Sequence, residues 1–233
     1  MYPKGILFDL DDTILSYSSV ADETWRSVCG CYAARCHLEA DVLFRAIQEI
    51  GDWFWSDKDR HRKGRNDLNN ARRFIVSLAF QKLKLDSVLA HPIADAFSEQ
   101  REKAVTIFDN ARETLEYFHG HGVLLALMTN GESHKQRHKI ERFDLGKYFR
   151  AVLIEGEMGF GKPDAAVYHR ALAELGLHPQ DVWAVGDNLE CDVEGPQKLG
   201  IHGIWNDFAR QGLPKNSPII PDRIVHAIAD LTG

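Results

Sequence analysis

Several features that define whole classes of protein are scarce or missing in this chain. Among 233 residues there are four cysteines, Cys29, Cys31, Cys36 and Cys191. The chain lacks an excess of positive charge. Its formal net charge is −6, which argues against a general nucleic-acid partner. It lacks any apolar run approaching the roughly 18 residues of a membrane span, so no membrane partner is expected. The apolar stretch after Lys4 is broken by acids within a few residues, so no secretion signal is expected either. The cysteines are therefore expected to be reduced thiols in a cytoplasmic protein. There is no internal repeat and no low-complexity segment. What remains is a globular composition, 44% hydrophobic and 27% charged, with enough chain for one large core or two smaller ones.

Two textures divide the sequence. Residues 4–9, 122–128, 151–154, 182–186 and 201–205 are short and rich in Ile, Leu and Val, as buried strands are. Helical stretches at 110–120, 133–142, 164–176 and 190–199 separate the later ones. This βαβ alternation predicts an α/β fold, a parallel sheet covered by helices on both faces. Residues 17–103 carry no convincing strand. They read as helices near 20–36, 40–52, 67–85 and 87–103, with Leu68, Ala71, Ile75 and Leu78 as one periodic stripe. The expected organisation is a core of residues 1–16 and 104–233 interrupted by a helical domain, 17–103.

In open parallel sheets, ligands bind at the carboxyl ends of the strands. Here those ends read Asp9-Leu10-Asp11, Thr129-Asn130-Gly131, the stretch after Glu155 leading to Gly161-Lys162, and Gly186-Asp187. Three acids, Asp9, Asp11 and Asp12, directly after the apolar run Ile6-Leu7-Phe8 would repel one another and lose hydration. A hard divalent cation among Asp9, Asp11 and Asp187 removes that repulsion. Magnesium suits such a set, since it takes carboxylates, waters and a substrate phosphate. Lys162 supplies a positive charge suited to phosphate. The Thr129 hydroxyl and the Asn130 peptide N–H can donate to the same group. One carboxylate can then act as nucleophile through an aspartyl phosphate. A second, two residues on and on the same side of an extended strand, can act as general acid and then base.

Asp9-Leu10-Asp11-Asp12-Thr13, Thr129-Asn130-Gly131, Lys162-Pro163-Asp164 and Gly186-Asp187-Asn188-Leu189-Glu190-Cys191-Asp192 resemble, in order, the four motifs of the haloacid dehalogenase-like superfamily. The insertion after the first motif resembles that family's helical cap. The resemblance implies a Rossmann-like three-layer core. It implies Asp9 as nucleophile and Asp11 as acid/base, with Thr129 and Lys162 on phosphate. Magnesium would be held by Asp9, the Asp11 backbone carbonyl and Asp187, and Asp192 would support the metal or Lys162. True haloacid dehalogenases of the superfamily lack an aspartate at the place of Asp11, so the resemblance implies a phosphatase. Thr-Asn-Gly and Gly-Asp-Asn-Leu-Glu are similar to the branch holding nucleotide and acylneuraminate phosphatases. Gly195-Pro196 departs from the family's more frequent Gly-Ala.

Other readings compete locally. Gly156-Glu-Met-Gly-Phe-Gly161-Lys162 has P-loop spacing, but Pro163 stands where Ser or Thr should hold magnesium, and Glu157 would enter the anion cradle. Cys29, Cys31, Cys36 and His37 could suggest zinc. On a helix, however, Cys31 points about 200° from Cys29, and Trp25, Val28, Tyr32 and Cys36 make an apolar stripe that reads as core. "KDRHRKGR", residues 58–65, reads as a solvated helix end or loop, or as an attractor of anionic substrate. His134 and His138 read as a solvated face. A receiver-like signalling module shares the groups but places its acids differently and has no use for the insertion. A sugar phosphomutase or a phosphonatase would use the same core. The favoured substrate is a small soluble phosphomonoester, a nucleoside monophosphate or a sugar phosphate.

Overall fold

The computed structural model describes residues 2–233. Along the chain run β1 (Gly5–Phe8), β2 (Leu15–Ser16), α1 (Ala21–Tyr32), α2 (Ala40–Ser56), α3 (Lys58–Gly64), α4 (Leu68–Leu83), α5 (Ala90–Ala104) and β3 (Thr106–Ile107). There follow α6 (Ala111–Gly120), β4 (Leu124–Thr129), α7 (Ser133–Arg142), β5 (Ala151–Ile154), α8 (Glu155–Met158), α9 (Ala165–Leu175), β6 (Val182–Gly186), α10 (Gly195–Gln197), β7 (His202–Asn206) and β8 (Arg223–Val225). The residues form two compact units. One runs up to Ser16 and resumes at Thr106–Gly233; the other is Tyr17–Val105. The second unit ends two residues beyond the expected 103, because α5 continues to Ala104 and the chain turns extended only at Val105.

In the first unit, the described residues form a six-stranded sheet of order β5-β4-β1-β6-β7-β8, parallel at every pairing. It is an α/β, Rossmann-like sheet flanked by helices. β1 lies in the middle because nothing in it needs water: Ile6, Leu7 and Phe8 are at most 1% exposed. Phe8 sits opposite Leu127 of β4 on one side and Val185 of β6 on the other. The chain leaves β1 for β4 and later returns to β6, so the strand order reverses at β1. The carboxyl ends of these three strands meet at that switch point.

Two features of this unit have no signature in the sequence. β2 and β3 pair antiparallel, Leu15 with Ile107 and Ser16 with Thr106. Two residues are too few to show a period. β8 adds an edge strand whose Ile224 is exposed, so it lacks the apolar run of a buried strand. The helix expected at 190–199 is instead a π-helical turn, Leu189–Glu194, followed by the short α10.

The second unit is helical. Its core includes Val28, Leu43, Ile47, Ile75, Val76, Phe80, Ile93 and Phe97. The expected stripe on α4 is shifted: Ala71, Arg72, Ile75, Val76, Ala79 and Phe80 are buried, whereas Leu68 and Leu78 are half-buried. α4 packs against both α2 and α5, so it buries two flanks rather than one stripe. Cys29 and Cys36 lie in this core and Cys31 is exposed. Trp25 stacks on Phe97 with ring centroids 3.7 Å apart. The basic run is the short helix α3, capped by the Asp57 side chain, which accepts from the Arg60 amide at 2.8 Å. Arg60 turns back to donate to the Trp53 carbonyl at 2.6 Å. Among the described residues, no helix is long and apolar enough to cross a membrane.

Candidate active site

The first acids stand where β1 ends and a turn begins. Asp9 continues the ladder by one bond, its amide donating to the Val185 carbonyl at 2.9 Å. The chain then folds back. Asp12 takes the left-handed conformation at φ 62°, which aspartate tolerates better than most residues. The amides of Ile14 and Leu15 both donate to the Leu10 carbonyl, at 3.0 and 2.9 Å. Asn206 at the end of β7 donates to the Asp12 carbonyl at 3.1 Å. Asp9 and Asp11 take different hydrogen-bond partners, Lys162 for the one and Lys139 with Gln136 for the other, while the Asp11 charge still acts on Asp9.

Asp9 is 8% exposed and its Oδ1 accepts from Lys162 Nζ at 2.7 Å. Lys162, 3% exposed, also donates to Asp192 Oδ1 at 2.6 Å. The other Asp192 oxygen accepts from the Asn188 amide at 3.1 Å. Lys162 is thus clamped between two carboxylates, and Asp192 serves the lysine. Asp187 is half-buried beside them, with its carbonyl held by Trp205 Nε1 at 2.7 Å. One carboxylate oxygen each from Asp9, Asp187 and Asp192 lie within 4.8 Å of one another.

The electrostatics follow. Burial pushes the Asp9 carboxyl up to about 7, and the neighbouring charges of Asp192 and Asp11 add to it, while Lys162 opposes the shift. Asp187 is raised well above the carboxylate range, first by burial and then by Asp9, Asp192 and Asp12. Burial alone would lower Lys162, but Asp192 and Asp9 hold it well above the usual lysine value. Three acids crowded around one lysine, offering hard oxygen donors, fit a divalent cation.

Thr129, the last residue of β4, is 3% exposed. The Asn130 side chain has a structural task. Its Nδ2 donates to the Lys162 carbonyl at 2.8 Å and its Oδ1 accepts from the Lys162 amide at 2.9 Å. That leaves the Asn130 peptide N–H as its candidate phosphate contact. Gly161 permits this approach: a Cβ there would lie 2.4 Å from Asn130 Oδ1. Gly186 does the same for Asp192, whose Cγ would be 2.2 Å from an added Cβ. No P-loop forms, since Glu155 turns inward and accepts from the Gly131 amide at 3.0 Å. His134 and His138 are exposed on α7.

Asp11 stands apart from the three-acid cluster. Lys139 Nζ donates to its two oxygens at 2.8 and 2.7 Å, and Gln136 Nε2 to Oδ2 at 3.0 Å. Gln136, Lys139 and Glu155 are site residues that the motifs did not point to. Positions 136, 139 and 140 share one helical face, but the sequence alone does not separate that face from the solvated one of His134 and His138.

Residues 3–200 match the profile of the haloacid dehalogenase-like hydrolase family. The chain belongs to that family. This hydrolase is 36% identical over 240 residues to phosphoserine phosphatase of Thermus thermophilus, covering 94% of each chain. It is 25% identical over 234 residues to N-acylneuraminate-9-phosphatase of Rattus norvegicus, covering 98% of its own chain and 92% of the relative. Among solved structures, it shares its fold with the HAD-hydrolase YfnB of Bacillus subtilis. The TM-score is 0.74 at 20% identity, covering 99% and 97% of the two chains.

Proposed function

We propose that this hydrolase is a magnesium-dependent phosphatase for a small phosphomonoester, working through an aspartyl phosphate on Asp9. The observation that carries the reading is the buried Asp9–Lys162–Asp192 pairing beside Asp187 at the switch point. It offers a carboxylate nucleophile and a fixed cation where a phosphoryl group would enter. Asp11 separates this arrangement from dehalogenase chemistry. The names of the two curated relatives, each a phosphatase of a small phosphorylated metabolite, support the same reading. In the proposed cycle, an Asp9 oxygen attacks phosphorus and the ester oxygen leaves, taking a proton from Asp11. Asp11 then removes a proton from water, whose oxygen attacks the aspartyl phosphate. Inorganic phosphate departs and Asp9 is restored. Lys162, Thr129 and the Asn130 N–H hold the phosphoryl oxygens. Magnesium would be held by Asp9, Asp187 and the Asp11 carbonyl; when bound, it supplies charge neutralisation to the phosphoryl group. Asp192 orients Lys162. The inserted residues 17–103 act as the cap that selects the rest of the ester. Four unbridged thiols suit a cytoplasmic setting.

The test is phosphate release across a panel of phosphoserine, nucleoside monophosphates and sugar phosphates, with magnesium and with chelator. Turnover of at least one ester that chelator abolishes is expected. No turnover of any ester in millimolar magnesium would overturn the proposal.

A further inference from the structure

Resting on that phosphatase reading, we propose that Gln136 and Lys139 are positioning residues that lock the acid/base Asp11 and the phosphate contact Thr129 into one geometry. Both lie on the buried face of α7, Gln136 3% and Lys139 6% exposed. The hydrogen bonding admits one arrangement. Lysine only donates, and Lys139 Nζ reaches Gln136 Oε1 at 2.9 Å. The amide oxygen must face the lysine, so the amide nitrogen faces the site. Its two hydrogens go to Asp11 Oδ2 and to Thr129 Oγ1. Thr129 therefore accepts from Gln136, and its own hydroxyl hydrogen is turned away from the amide, available to a phosphoryl oxygen. The Asn130 carbonyl lies 3.5 Å from that hydroxyl, long for an O–H donor. Lys139 meanwhile grips both Asp11 oxygens, which fixes the carboxylate against rotation.

One amide thus joins the group that handles the leaving oxygen to the group that holds the phosphate. Burying a lysine and a glutamine where the helix would otherwise be apolar is costly unless each is fully bonded. A purely structural pair would tie α7 to the β1–β2 turn. It would have no reason to reach Thr129 as well.

The roles separate by leaving group. Lys139→Met removes both lysine bonds to Asp11 and leaves Gln136 beside Thr129, whereas Gln136→Leu removes the contacts to Asp11 and Thr129 together. The experiment measures kcat and KM, with magnesium, for p-nitrophenyl phosphate and for the best alkyl phosphate of the panel. Circular dichroism checks that each variant folds. An aryl leaving group needs little protonation and an alkyl one needs much. Lys139→Met is expected to lower kcat on the alkyl ester about tenfold more than on the aryl ester, with KM nearly unchanged. Gln136→Leu should add a rise in KM on both esters. Lys139→Arg should restore part of the alkyl rate. If Lys139→Met fails to fold, the same alkyl-over-aryl loss with Gln136→Leu decides the question. An equal fall on both esters, or no fall, overturns the inference while wild-type turnover keeps the phosphatase reading. Absence of wild-type turnover on every ester overturns both.

Discussion

At the scale of single residues, the site is a set of carboxylates given different tasks by their surroundings. Asp9 is buried against Lys162, Asp11 is held by Lys139 and Gln136, and Asp192 braces Lys162. If Asp11 is the proton donor, Asp11→Asn slows alkyl phosphates more than aryl ones; equal slowing of both in steady-state kinetics contradicts that role. Titration gives a second expectation. The Asp9 carboxyl is raised from 3.8 to about 7, and Asp187 is raised in the same direction. Each therefore keeps its proton longer in the folded chain than in the unfolded one. Without metal, stability should fall as pH rises across the window from 3.8 to about 7. A cation must displace those protons, so its stabilisation grows over the same window. Thermal melts at pH 5 and pH 8, with chelator and with magnesium, should show a larger magnesium shift at pH 8. An equal shift at both would count against the acids as ligands. The acids, Thr129 and Lys162 were legible because polar and charged groups at the end of a buried strand lose hydration, a cost that a ligand site offsets. Lys139 was not, because a lysine in the basic run of residues 134–139 looks solvated until its partner, 128 residues away, is known.

At the scale of elements, the site depends on how closely neighbouring segments approach. β6 ends in Gly186, and the π-helical turn lays Asp192 directly over it. Gly186→Ala should push Asp192 off Lys162, destabilising the fold by about 1–3 kcal/mol and lowering kcat. A melting temperature and kcat both equal to wild type would refute this account of the contact. The buried strands of the sheet could be read from composition, since each is a short aliphatic run. The π-helical turn could not. Its residues, Leu189 to Glu194, alternate in burial much as a helix would, and the widened turn is set by the Asn188 side chain, which accepts from the Cys191 amide at 2.9 Å, and by Asp192. The left-handed Asp12 was hidden in the same way, because the sequence shows the residues of a motif and not the turn they make.

At the scale of the whole molecule, two folding units share one chain and the first carries all the groups assigned to phosphate chemistry. The second is entered and left through a pair of strands, with Ser16 opposite Thr106. That pairing allows residues 17–105 to be replaced by a two-residue Asn-Gly turn, since antiparallel neighbours can be closed by about two residues. Such a variant should keep some turnover of p-nitrophenyl phosphate and lose its ranking among metabolites. Wild-type ranking in the shortened chain would mean that the insertion does not select substrate. The insertion was legible as a helical block because strand texture disappears between residues 17 and 103. Its packing was not, since α4 buries two flanks and a single stripe describes neither. The central claim, that Asp9 is the nucleophile of a phosphatase, is tested most directly by the turnover of Asp9→Asn. The amide cannot form the aspartyl phosphate, yet it relieves repulsion with Asp187 and Asp192, so the variant should fold at least as stably as wild type at neutral pH. Phosphate release measured with millimolar magnesium should fall by at least about 10³-fold; a folded variant retaining about a tenth of wild-type activity would contradict the claim.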